Sequence, residues 1–85
     1  MVQEMNVFDS VWYEVLWMKH RGMDNPLVLS SKRASEFMKA VDKNVPVFWK
    51  YPKDMSAENK YFAGVIGELD GITLIEDKHC GTNDI

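Results

Sequence analysis

Two residues of versatile chemistry stand side by side at His79-Cys80 near the end of this 85-residue chain. An imidazole beside a thiol can lower the thiol pKa and prepare a nucleophile. Consecutive residues on an extended segment point in opposite directions, however, and no third group is placed to orient a base. The pair therefore reads as an incidental tail thiol. Cys80 is the single cysteine, so it has neither a disulfide partner in the chain nor a second thiolate for zinc, and a reducing, intracellular setting is expected. Glu68 and Asp70 are two residues apart on a strand and share a face, and with Glu76 and Asp77 they could offer carboxylates to a cation or to acid–base work. Each has a simpler explanation, because Asp70 suits a turn and Glu76-Asp77 solubilise a strand end. His20 sits where a helix should end and matches the helix dipole better than it serves as a base or ligand. Gly64 and Gly67 form a GxxG with no Walker lysine and no following helix, so they suit a bulge or a close backbone approach rather than a phosphate loop. No catalytic residue, metal site or cofactor is expected, and the protein reads as non-enzymatic.

The elements that carry these residues are better defined. Tyr61 to Asp77 contains two apolar runs joined by Asp70-Gly71, whose types suit the positive φ angles of a two-residue hairpin turn. That turn pairs Leu69 with Ile72, Gly67 with Leu74 and Val65 with Glu76. Leu69, Ile72, Leu74 and Val65 then share one face and Phe62, Ile66 and Ile75 the other, so a ribbon covered on both faces is expected. Between Val7 and Arg21, Phe8, Val11, Trp12, Val15 and Met18 recur at helical spacing, with Asn6 as cap and Gly22 as stop. Tyr13, Leu16 and Trp17 lie on its other side, which makes this helix apolar nearly all round. Leu27-Val28-Leu29 reads as a short buried strand. Ser30 or Ser31 caps a second helix whose stripe is Ala34, Phe37, Met38 and Val41, with Lys32, Arg33, Glu36 and Lys39 toward water. Val45 to Tyr51 reads as extended, with Pro46 placing it at a sheet edge, and Pro52 to Asn59 as a polar loop. The sequence thus predicts one small α+β domain over 1–85, two helices packed on a small sheet containing a C-terminal hairpin. Residues 78–85 form a polar, loosely held tail in this reading.

Composition narrows the partners. Ten basic against thirteen acidic residues leave a net charge of −3, too mild and mixed for a polyanion-binding protein, so nucleic acid is not expected. The N-terminus carries no basic start of a secretory signal, and no run approaches the ~20 apolar residues that cross a bilayer. Hydrophobic residues make up 46% and aromatic residues 12% of the chain. A domain of this length buries only roughly 60–65% of its unfolded surface, so its core cannot enclose every aromatic. Trp12 and Phe48 are expected in the core. Tyr13, Trp17, Trp49 and Tyr51 are the candidate interface residues, with Trp17 joined to Trp49 or Tyr51 in one apolar patch.

Residues 25–42, NPLVLSSKRASEFMKAVD, followed after a polar gap by 62–77, FAGVIGELDGITLIED, resemble a stretch of the major capsid protein of tailed bacteriophages. In that family a strand ending in a "vlS" segment leads into a helix, and an "iG.l.Gi.vi.d" hairpin follows. The resemblance spans about residues 25–77. It implies a compact part of that fold and association with a phage particle or capsid-like assembly, in the host cytoplasm or the virion, and it carries no catalytic residue. Two functions are expected on these grounds: a small phage-type structural or assembly protein that associates with a shell or with itself, or a small intracellular inhibitor or adaptor that occupies a host protein.

Overall fold

The computed structural model describes residues 6–56, 58 and 63–77. Asn6 begins the first helix as expected, its side-chain oxygen accepting from the Asp9 N–H at 2.8 Å. Helix α1 runs Val7–His20 and ends in a Schellman motif, in which the Met23 N–H donates to the Met18 carbonyl and the Gly22 N–H to that of Lys19. Strand β1, Leu27–Ser30, leads directly into helix α2, Ser31–Lys43, and Ser30 is the capping serine, accepting from the Arg33 N–H at 3.2 Å. Strand β2 is only Trp49–Lys50, and a 3-10 turn follows at Pro52–Asp54. The hairpin consists of β3, Val65–Leu69, and β4, Ile72–Asp77.

The four strands form one mixed sheet in the order β1-β4-β3-β2, with β1 parallel to β4 and the other pairs antiparallel. The protein is therefore a small α+β fold. Cross-strand partners share a face, so Trp49, Leu69 and Ile72 project together, as do Leu27 and Leu74. These side chains meet both helices: Val11, Val15 and Met18 from α1 and Ala34, Phe37 and Val41 from α2 join Leu29, Trp49, Leu69, Ile72 and Leu74 in one buried cluster. Spacing made these helical stripes visible in the sequence, and the packing follows them. An Arg33–Glu14 ion pair at 2.8 Å, with Ser10 Oγ accepting from the same guanidinium at 2.7 Å, ties α2 to α1. Arg33 is accordingly half-buried rather than turned to water.

The hairpin turn is at Asp70-Gly71, with φ +49° and +91°, the positive pair that type I′ geometry requires. Lys19 grips this turn from α1, its Nζ donating to the Asp70 carbonyl at 2.9 Å and lying 3.0 Å from the carboxylate. Leu69 pairs with Ile72 and Gly67 with Leu74 as expected, but Val65 pairs with Ile75 and not Glu76. The cause is a bulge between Val65 and Gly67, which leaves one extra residue in β3. The bulge puts Val65 opposite Ile75 and lets Ile66 pack against the helix-side core, the reverse of simple alternation.

Three further expectations are corrected. β1 is an edge strand buried on one face only and not the buried strand expected: Leu29 is enclosed, but Val28 is 54% exposed on the face away from the helices. The segment after α2 is extended only at its end: the Trp49 N–H donates to the Pro46 carbonyl, closing a turn that leaves Val47 exposed. The polar loop begins with a 3-10 turn, and Met55 just beyond it is buried. Phe62 lies outside the described residues. On the far face Thr73 is buried and Ile75 half-buried, so cover there is uneven.

Candidate interaction surface

Among the described residues, the candidate groups His20, Glu68 and Asp70 stand apart from one another, each in its own setting. His79 and Cys80 lie outside the described residues. His20 is exposed at the end of α1. Asp70 is held in the turn by Lys19, and Glu68 faces Lys50 across the strand pair at 4.0 Å. Among the described residues no group of three or more His, Cys, Asp or Glu side chains could hold a metal ion, and no helix is long and apolar enough to cross a membrane. Gly67 has the packing role anticipated for it. A Cβ there would collide with the Trp49 indole and the Lys50 carbonyl oxygen, so the missing side chain is the space into which the indole fits.

That fit removes Trp49 from the candidate interface. It is 6% exposed, stacked edge-on against Phe37 at 5.4 Å and against Tyr51 at 5.7 Å. Its indole N–H is buried without a hydrogen-bond partner among the described residues, so shape and not polarity fixes its position. Tyr51 is half-buried against Trp49 and donates its hydroxyl to Asp42 Oδ1 at 2.7 Å. That hydrogen bond, followed by desolvation and the nearby carboxylate charge, raises the Tyr51 phenol pKa above its ordinary value. Tyr51 thus fastens the segment after β2 to the C-terminal end of α2.

Two further ring pairs lie at the margin of the core: half-buried Phe8 stacks on buried Phe37 at 5.5 Å, and Trp12 on Phe48 at 4.4 Å, both half-buried. These pairs absorb every described aromatic except Tyr13 and Trp17, which lie on the outer side of α1 and are 61% and 56% exposed. Helix periodicity separates the two sets. Val11, Val15 and Met18 point to the sheet while Tyr13, Leu16 and Trp17 fall on the opposite arc. An open hollow of about 550 Å³ is lined by Tyr13, Glu14, Leu16, Trp17 and His20. A second hollow of about 260 Å³ continues past Trp17 to Met23, Pro26 and Leu27. Arg21 lies over the Trp17 ring, its guanidinium carbon 4.8 Å from the centroid, and closes one end of the patch with a positive charge. The patch is thus built from one helix and the start of β1, without the Trp49 and Tyr51 that surplus counting had added to it. Arg21, Leu16 and Met23 were not among the residues marked for contact; the all-round apolar character of α1 signalled Leu16, and nothing local signalled Arg21 or Met23, which follow the helix.

Such a surface can bind an apolar or aromatic protein face, with the Glu14 carboxylate and the His20 imidazole at its margin. Comparison of the chain with protein-family models, curated proteins and solved structures finds no match.

Proposed function

We propose that this protein acts without catalysis, by association through the outer face of α1, and that it is a small phage-type structural or assembly protein. The observation that carries this reading is the division of the aromatics: all the others described are buried or half-buried and paired with another ring, while Tyr13 and Trp17 are more than half exposed and paired with none. Leaving two large aromatic residues on one exposed arc forgoes burial worth about 1.5–3 kcal/mol for a full side chain, a loss that a partner would recover. The direction toward a particle comes from the resemblance of residues 25–77 to the capsid protein of tailed phages.

Gradient sedimentation of the protein in its native lysate tests the proposal. Comigration with shell-sized assemblies is the expected result. Migration with one soluble host protein instead would replace it with the inhibitor or adaptor reading.

A further inference from the structure

Four residues of α1 stand four apart in one row: Asp9, Tyr13, Trp17 and Arg21, the last being its C-terminal cap residue. Four-residue steps follow a single ridge of a helix surface, so the row reads acid, aromatic, aromatic, base along one line. Reversing its direction exchanges the acid with the base and one aromatic with the other. We infer that this ridge is a self-complementary docking surface whose occupant is the α1 of a second copy of the chain, related by a two-fold axis. This rests on the reading of the outer face of α1 as an association surface and names what covers it.

The charges support that occupant. The ion pairs Lys19–Asp70, Arg33–Glu14 and Lys50–Glu68 involve neither the Asp9 carboxylate nor the Arg21 guanidinium, so neither is tied up by another described residue's charge. Asp9 suits the positive end of its own helix, and Arg21 is steered over Trp17 at the negative end. In the commonest class of helix packing the four-residue ridges of both helices lie parallel, with axes about 8–10 Å apart. An antiparallel pair of this kind sets Tyr13 against Trp17 of the second copy, and Asp9 against its Arg21. The two-fold makes each contact twice, as an isologous interface requires. Leu16 sits on the neighbouring ridge and fills the groove beside the axis. A 14-residue helix is about 21 Å long, so the contact is small and the pairing falls in the weak, reversible class.

Charge reversal with mixing is the test, read by sedimentation velocity of the full chain over a range of concentrations. Asp9→Arg sets arginine against arginine twice, and Arg21→Asp sets aspartate against aspartate twice. Each variant alone should lose pairing by roughly tenfold or more relative to the parent. An equimolar mixture should recover it, because both contacts of the mixed pair are then of opposite charge. Trp17→Ser, at an exposed position, should be monomeric while keeping the parent melting temperature. A mixture no more associated than its components, a Trp17→Ser protein that pairs like the parent, or a parent that is monomeric up to millimolar concentration overturns the inference. A monomeric parent that still comigrates with shells through Trp17 would remove only the pairing; pairing without comigration would remove only the particle-directed reading.

Discussion

Gly67 and Trp49 show how far single residues could be read. The sequence marks Gly67 as a place for a bulge or a close approach, and both are present, but it gives no sign that the approaching group is an indole from a strand only two residues long. Alternation within a strand reveals which face a side chain takes and says nothing about a diagonal neighbour that lacks one. Trp49 therefore looked like surplus when it was core. Gly67→Ala is expected to cost about 1–3 kcal/mol through overpacking against the indole, read as a lowered denaturant midpoint. An unchanged midpoint would mean that the indole does not occupy that space. Tyr51 has a pH signature. Its folded pKa lies above the unfolded value of about 10, so its contribution is fully present below that pH and is lost as pH rises through the folded value. Tyr51→Phe should consequently lose less stability than the parent on entering the alkaline range, as measured by chemical denaturation at a series of pH values.

At the scale of elements, the helices were legible because their stripes, caps and stops agree. Asn6, Ser30 and Gly22 stand where the apolar periodicity begins or ends, and each makes the predicted terminal hydrogen bond or turn. Asp70-Gly71 fixed the hairpin for the same local reason. Strand order was not legible, since nothing local to Leu27-Val28-Leu29 states that it pairs on one side only, with β4. The bulge was equally hidden, and it moved Ile66 to the core face against simple alternation. Phe37 is the residue through which α2 holds the sheet, fully buried with Phe8 stacked on it and Trp49 edge-on. Phe37→Ala should cost about 3–5 kcal/mol, a large part of the stability of so small a domain. A cooperative unfolding transition near the parent midpoint would contradict this packing.

For the whole molecule, the candidate surface was half legible. The apolar outer side of α1 could be read from spacing, because Tyr13 and Trp17 cannot share an arc with Val11 and Val15. Its separation from Trp49 could not, because that depends on the sheet enclosing the indole. Two tryptophans once grouped in one patch therefore acquire opposite expectations, since Trp17 is left for a partner and Trp49 holds the core. Replacing each by serine separates folding from association more directly than any other change. The decisive measurement is light scattering of the Trp17→Ser and Trp49→Ser proteins beside the parent, each first assayed for thermal unfolding. Trp17→Ser is expected to melt with the parent and to lose its larger species, while Trp49→Ser should lose the cooperative transition itself. A Trp17→Ser protein that assembles as the parent does, or that unfolds as Trp49→Ser is expected to, would contradict association through the outer face of α1.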